Sequence, residues 1–148
     1  MMTRRALREH LLRLLYLREF HEADELEEQS QFYFDVILPN EDAECPEKEA
    51  VLERLNCIVQ KLPEIDAMLT AKLQNWNFRR IGLTEKTILR ISAYEILFDS
   101  ESVPEKVAIN EAVELAKIYG GEQSSGFVNS VLAKIVKGSE TNDGKQSS

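Results

Sequence analysis

The sequence predicts an all-helical fold, and three observations support this prediction. Apolar residues recur at helical spacing along most of the 148-residue chain. One segment, from about Leu26 to Leu38, is aromatic and β-branched enough to suggest a strand, but no second strand-like segment is present to pair with it. The length fits a single domain whose core can bury about 70% of the unfolded chain's surface. We therefore expect one compact domain made of helices.

Two helices are predicted at the start of the chain. The first begins after Thr3, a favourable N-cap residue, and carries a stripe of leucines at helical spacing. Its polar edge holds Arg4, Arg5 and Arg8 on neighbouring turns. We interpret residues 26–38 as the second helix because a strand there would lack a partner.

Three helices are predicted in the middle of the chain. The third follows Pro46 and ends at Pro63, which is well placed to open the fourth because proline lacks the N–H that an internal helical position donates. Thr84 is the predicted cap of the fifth helix. That helix is apolar on nearly all sides, so we expect it to be the central and most buried one.

Two further helices and a tail complete the prediction. Pro104 opens the sixth helix, which ends at the pair Gly120–Gly121. Ser124 or Ser125 is expected to cap the seventh. Residues 1–137 thus form the predicted helical domain, and residues 138–148 are polar and of low complexity, as in a disordered tail.

The composition excludes several classes of protein. With 43% hydrophobic and 30% charged residues, the chain resembles an ordinary folded cytoplasmic protein, which is the location we expect. The longest apolar run, Leu14–Leu17, is too short for a membrane span or a signal peptide. The two cysteines, Cys45 and Cys57, lie too far apart in sequence for a typical zinc site, so we expect no bound metal.

The net charge of −8 is unevenly distributed along the chain. Residues 1–20 hold five arginines and two glutamates, whereas residues 21–53 hold twelve acidic residues and one lysine. Residues 54–148 hold twelve charges of each sign. The basic start could bind a few phosphates locally, although its arginines could also do no more than solvate the outer face of the first helix.

No recognised catalytic pattern is present in the sequence. The pair Gly120–Gly121 lacks the following lysine of a phosphate-binding loop, and Ser124 and Ser125 lack the G-x-S-x-G context of a nucleophilic serine. The two histidines, His10 and His21, have no nucleophile near them in sequence. We therefore predict that the protein is not an enzyme and that it acts through binding surfaces.

Four stretches of the sequence resemble the NusB family of transcription antitermination factors. They are Arg4–Glu9, Thr87–Leu97, Val103–Lys117 and Ser125–Leu132, in the family's order and at about its spacing. The resemblance extends over residues 3–136. It implies a compact seven-helix domain of two small helical bundles, without a cofactor and without catalytic activity.

The resemblance also implies a function and a set of partners. NusB-like proteins bind the single-stranded boxA element of nascent ribosomal RNA transcripts, most tightly as a heterodimer with NusE, a small-subunit ribosomal protein. The pair joins the RNA polymerase elongation complex and suppresses premature termination. Some relatives form homodimers, so a homodimer is possible here as well.

By matching position, the resemblance assigns RNA contacts to the first helix. Arg4, Arg5 and Arg8 would bind phosphates, for which the planar guanidinium group is well suited. Tyr16 would stack on or hydrogen-bond with an unpaired base. The alternative for Tyr16 is a place in the core, since aromatic residues at helical spacing are often buried.

The remaining site residues implied by the resemblance lie in the second half of the chain. Phe127 would offer a second ring to RNA, with the same core alternative, and backbone N–H groups near Ser124 and Ser125 would face the RNA. Glu85 matches a position near the RNA and NusE surfaces and is the expected partner contact. Asn110 is expected to be a buried hydrogen-bonding residue.

Two departures from the family pattern affect the expected RNA affinity. Leu7 interrupts the short basic run, and Ser130 stands where the family usually has glycine. Together with the negative charge, they predict a strong dependence on NusE. One alternative is a protein–protein interaction domain of the same fold with little or no RNA binding. Another, the N-terminal domain of a ribosomal RNA cytosine methyltransferase, requires a catalytic domain following Ser148.

Overall fold

The computed structural model describes residues 3–19, 25–37, 48–73 and 81–147, and within these ranges the chain forms helices and no strands. The all-α prediction is confirmed, whereas the predicted turn at 39–42 lies outside the described residues. The helices are α1 (Arg4–Arg18), α2 (Leu26–Phe32), α3 (Lys48–Lys72), α4 (Leu83–Phe98), α5 (Glu105–Tyr119) and α6 (Ser124–Ser147).

The chain divides into two compact units, residues 1–60 and residues 61–148. This division agrees with the expected two helical bundles. The first unit contains α1, α2 and the first half of α3, and the second contains the rest of α3 together with α4, α5 and α6.

Helix α1 begins as the sequence predicts. The backbone N–H of Ala6 donates a hydrogen bond of 3.0 Å to Oγ1 of Thr3, which is therefore the N-cap residue. The leucine stripe is buried, and Leu14 is only 1% exposed. Burial of this apolar face, more than helix propensity, holds α1 in the first unit.

The aromatic segment after α2 is helical and not extended. It continues α2 as one wide π-helical turn, Tyr33–Ile37. Tyr33 and Phe34 are both buried, and their rings meet edge to face with centroids 5.2 Å apart. The hydroxyl of Tyr33 is joined by a 2.8 Å hydrogen bond to Nδ1 of His10, which is itself buried. Two of the aromatic residues that suggested a strand, Tyr33 and Phe34, therefore pack the first unit, whereas Phe32 is 50% exposed.

Helix α3 departs from the prediction because Pro63 lies inside it and does not end it. The predicted third and fourth helices are one helix, so the described residues contain six helices where seven were expected. A proline in a helix interior costs about 3 kcal/mol. One buried stripe runs through the whole helix and offsets that cost. Its members are Val51, Leu55, Ile58, Leu62, Ile65 and Leu69, each at most 5% exposed, and Leu73 continues it just beyond the end of the helix.

Helix α4 is deeply buried, as predicted, with an unbroken buried run over residues 87–93. The run includes Arg90, whose guanidinium donates two hydrogen bonds of 2.9 Å to the carboxylate of Asp66 on α3. This two-point pairing satisfies a charge that would otherwise be costly to bury. The predicted cap Thr84 is wrong: Gly82 occupies the N-cap position, and Thr84 lies within the first turn.

The predicted boundaries of α5 are confirmed, whereas the predicted cap of α6 is wrong. Pro104 and Gly120 flank α5 as expected. Helix α6 begins at Ser124, and the carbonyl of Gln123 accepts its first helical hydrogen bond, from Phe127 at 3.2 Å. Ser124 and Ser125 are thus helical residues and not the cap. The helix includes residues 138–147, where a disordered tail was predicted, and the division into domain and tail stays a prediction.

The described ranges contain neither a membrane-spanning helix nor a cluster of metal-binding side chains. No helix there is both long and apolar enough to cross a membrane. Among the same residues, no group of three or more histidine, cysteine, aspartate or glutamate side chains is placed so that it could hold a metal ion. Cys57 is half-buried and carries a free thiol, and Cys45 lies outside the described residues.

Candidate nucleic-acid interface

The first turn of α1 is a concentrated positive region. Arg4 and Arg5 are both exposed there, and the turn holds no acidic side chain. The N-terminus of a helix also carries a partial positive charge from its aligned peptide dipoles. Among the described helices, α2, α3, α4 and α5 each have at least one glutamate in the first turn, whereas α1 and α6 have no acidic residue there. The start of α1 therefore favours an anion.

Arg8 does not lie on the exposed edge where the sequence placed it. Its side chain is 4% exposed, compared with exposed side chains at Arg4 and Arg5. The reason is its position on the helix, since it precedes Leu11 and Leu12 by three and four residues and shares their buried face. The long aliphatic stem of an arginine can pack along such a face. The predicted edge of three arginines is reduced to two that solvent can reach.

Tyr16 lies near the C-terminal end of α1 with 39% of its surface exposed. The alternative that it is a core residue is therefore wrong. An exposed ring of this kind is available to stack on an unpaired base. Its contact with RNA stays a prediction.

An open groove of about 530 Å³ lies beside the first three turns of α6. Phe127 lines the groove and is half-buried, so it is not a fully buried core residue, and its contact with RNA stays a prediction. Ser130 also lines the groove. The lining residues are Glu122, Gln123, Ser125, Gly126, Phe127, Ser130, Val131 and Lys134.

Ser124 is engaged inside the protein. It is 8% exposed, and its hydroxyl donates a hydrogen bond to Oε1 of Glu85 at the start of α4. The same hydroxyl oxygen accepts a 2.9 Å hydrogen bond from the backbone N–H of Gly121. Ser124, a predicted RNA-binding residue, and Glu85, the predicted partner contact near the RNA and NusE surfaces, are thus directly bonded. Sequence reasoning missed this pairing, which joins positions 39 residues apart.

Two glycines allow these helix ends to approach closely. A Cβ atom at Gly120 would lie 2.5 Å from the Cβ of Ser124 and 2.8 Å from the carbonyl oxygen of Ala116. A Cβ atom at Gly82 would overlap Oε2 of Glu85. We define Gly82, Glu85, Gly120, Gly121 and Ser124 as the Glu85–Ser124 junction.

The burial of Asn110 differs from the prediction. It is exposed on α5, so the expected buried hydrogen-bonding role is wrong. Its α5 neighbours Ala108 and Ala112 are buried, and Asn110 lies between them on the opposite side of the helix.

The fold and these features define a small all-helical binding protein with a basic helix start. A model of the NusB family matches residues 5–137. The chain belongs to the NusB family. It is 49% identical over 136 residues to the transcription antitermination protein NusB of Lachnoclostridium phytofermentans, which covers 91% of this chain and 99% of that protein.

Two solved structures show the same fold. NusB from T. maritima superposes with a TM-score of 0.75 at 30% identity, covering 92% of each chain. A chain from a crystal structure of antitermination factors NusB and NusE in complex with double-stranded RNA gives a TM-score of 0.72 at 23% identity. It covers 91% of this chain and 96% of that one.

These comparisons confirm three expectations. The recognition of the family and its fold is confirmed by the match to residues 5–137. The curated relatives are transcription antitermination proteins, a non-enzymatic class, and on this ground the prediction that the chain is not an enzyme is also confirmed.

Proposed function

We propose that this protein is a transcription antitermination factor that binds boxA-type RNA in nascent ribosomal RNA transcripts together with NusE. In this role it acts in the cytoplasm on the RNA polymerase elongation complex and supports read-through. The observation that carries the proposal is membership of the NusB family over residues 5–137. The similarity in fold to a NusB chain solved with NusE and double-stranded RNA is consistent with it.

The start of α1 supports a role in RNA binding. Arg4 and Arg5 combine with the helix dipole to make a site for phosphate that no acidic side chain of the same turn weakens. Tyr16, further along the same helix, adds an exposed ring. Arg8 contributes to packing instead, so we propose Arg4 and Arg5 as the phosphate contacts of α1.

The start of α6 supports a second contact. Phe127 and Ser125 face the groove of about 530 Å³, which combines a ring with polar groups. Single-stranded RNA is commonly bound by stacking of bases on aromatic side chains and by hydrogen bonds to their edges. We propose that this groove receives an unpaired base.

The net charge of −8 supports a need for a partner. Long-range repulsion between an acidic protein and RNA is reduced when a basic partner binds first. The acidic stretch at residues 21–53 would contribute to that attraction. NusE is the partner we propose.

The test is fluorescence anisotropy of a labelled boxA-like RNA at two or more salt concentrations, with and without NusE. We expect NusE to tighten binding and salt to weaken it. The double variant Arg4→Ala/Arg5→Ala should bind more weakly and should lower the slope of log affinity against log salt by about 1.4, the value for two phosphate contacts with a single strand.

The control for charge is Lys106→Ala/Lys117→Ala, which removes two exposed cations from α5. It should leave the salt slope near that of the parent. Equal RNA binding by the parent and the arginine variant at every salt concentration would show that α1 is not the RNA site. If NusE binds and RNA does not, the protein is an interaction module of the same fold.

A further inference from the structure

The Glu85–Ser124 junction joins three helix ends of the second unit. Glu85 lies in the first turn of α4, Gly120 caps the end of α5, and Ser124 opens α6. Ser124 is 8% exposed and its hydroxyl links the other two elements through one donated and one accepted hydrogen bond. A single side chain therefore ties α4 to the turn between α5 and α6.

The direction of these hydrogen bonds follows from the chemistry of the groups. A carboxylate can only accept, so the one hydroxyl proton of Ser124 points to Glu85. The lone pairs of the hydroxyl are then free to accept the N–H of Gly121. Without the carboxylate the hydroxyl could rotate, and the backbone of the turn would lose a fixed acceptor.

Close packing makes the position of Glu85 sensitive to its neighbours. Its carboxylate occupies the space that a side chain at Gly82 would need, and Ser124 lies against Gly120. The junction thus holds the backbone just before α6. Ser125, Gly126 and Phe127, which face the groove, follow Ser124 immediately.

We propose that Glu85 is a positioning residue for RNA binding, which acts through Ser124 on the turn that presents the α6 groove. This inference rests on the proposed function, because it concerns how the same RNA site is shaped. It also explains the presence of an acidic side chain near that site. A carboxylate close to RNA repels phosphate, and its use as a fixed acceptor for Ser124 is a role that offsets this cost.

The competing role for Glu85 is direct contact with a basic surface of NusE, and the two roles differ in what they require. Positioning requires an oxygen that accepts from Ser124, whereas attraction to a basic partner requires the negative charge. Glu85→Gln keeps the acceptor oxygen and removes the charge. Glu85→Ala removes both.

The test measures anisotropy of boxA-like RNA with NusE present. We expect Glu85→Gln to bind at least as tightly as the parent, because it keeps the acceptor oxygen and removes the repulsion of phosphate. Both Glu85→Ala and Ser124→Ala should bind about tenfold more weakly, the scale expected for a lost hydrogen bond to a charged group. The double variant Glu85→Ala/Ser124→Ala should be no weaker than either single variant, since both remove the same interaction.

Two further measurements separate positioning from a general loss of structure. Gly82→Ala should also weaken RNA binding, because the added methyl group displaces the Glu85 carboxylate while leaving both bonded residues in the chain. The amide NMR resonance of Gly121 should move in Glu85→Ala and stay in place in Glu85→Gln. The matched controls are Glu105→Ala and Glu105→Gln, which alter the first-turn glutamate of α5 and should change neither readout.

The outcomes distinguish the inference from the function on which it rests. If the parent does not bind RNA with NusE, the proposed function fails and the inference fails with it. If the parent binds and Glu85→Gln is as weak as Glu85→Ala, the charge acts directly and the inference alone is overturned. Parent-like binding by Ser124→Ala would overturn it as well.

Discussion

The first turns of α1 and α6 both lack an acidic side chain, yet they are organised in different ways. At α1, Thr3 caps the helix through a bond to Ala6, three residues away, and the charge comes from adjacent arginines. At α6, the first residue is held by Glu85, 39 residues away in sequence. One helix start is built locally, and the other depends on the packing of the second unit.

This difference determines how each region should respond to substitution. A local cap contributes stability through one hydrogen bond and the helix dipole, and its loss should be tolerated. A junction built from close backbone approach should fail when volume is added, because the surrounding atoms have little freedom to move.

The largest effect is expected for Gly120→Ala at the C-cap of α5, against Ser124 at the start of α6. The new methyl group would collide with Ser124 and with the carbonyl oxygen of Ala116, so we expect a loss of about 2 kcal/mol in the free energy of unfolding. Urea denaturation measures this loss. The control is Gly126→Ala, where no atom lies within 4 Å of the added Cβ and helix propensity should raise stability by about 1 kcal/mol. Equal stabilities for the two variants would contradict the close approach.

The next largest effect is a difference in stability between variants of the buried Arg8 and the exposed Arg4 on α1. Arg8→Ala should lower the free energy of unfolding by about 1.5 kcal/mol because a buried side chain loses its packing. Arg4→Ala, an exposed substitution on the same helix, should change it by less than about 0.5 kcal/mol. Thermal and urea unfolding of both variants would compare them. If the Arg8→Ala protein were as stable as the parent but had lost RNA binding, Arg8 would be an RNA contact and not a packing residue.

A smaller effect is expected at the cap of α1. Thr3→Ala removes the acceptor for the N–H of Ala6 and should cost about 1 kcal/mol in the free energy of unfolding. Thr3→Asp keeps an acceptor and should retain most of that stability. Should both substitutions cost the same, the side-chain cap would not be the reason for the helix start. The measurement is again urea denaturation, at low salt.

The smallest effect is a pH dependence within the first unit. Burial lowers the pKa of His10 from its ordinary value of 6.5, the charge of Arg13 lowers it further, and Glu9 opposes the change. The unfolded chain therefore binds a proton more readily, so stability is fully present above pH 6.5 and falls as the pH decreases towards the folded-state pKa. Unfolding measured between pH 7.5 and 5.5 should show this loss in the parent.

Two variants test the assignment of that pH dependence. His10→Gln should remove it, whereas His21→Gln should retain it and serves as the control for the other histidine of the chain. The same slope in His10→Gln and in the parent would assign the pH dependence to other groups.

The sequence alone predicted most of the fold because helical periodicity is a local property. The stripes on α1 and α4 and the boundaries of α5 could all be seen in spacing and in cap residues. Pro63 misled the prediction because its local effect on a helix is unfavourable. The buried stripe that keeps α3 continuous gains its free energy only from atoms that pack against it.

The residues of the candidate site also divide into those that local sequence patterns predicted and those that depend on tertiary packing. Arg4, Arg5 and Thr3 could be recognised from the sequence because charge and capping depend on neighbouring residues. The burial of Arg8 depends on which side of α1 faces the core. Its spacing from Leu11 and Leu12 contained that information, and the expectation that arginine is solvated obscured it.

The sequence by itself therefore determined the all-helical class, the family, and the basic start of α1, since each follows from local patterns or from motifs. The tertiary structure decided that Ser124 is bonded to Glu85 and that glycines at positions 82 and 120 leave room for this contact. It also decided that the hydroxyl of Tyr33 forms a hydrogen bond with Nδ1 of His10. Contacts between residues distant in the chain depend on packing, and no local pattern specifies them.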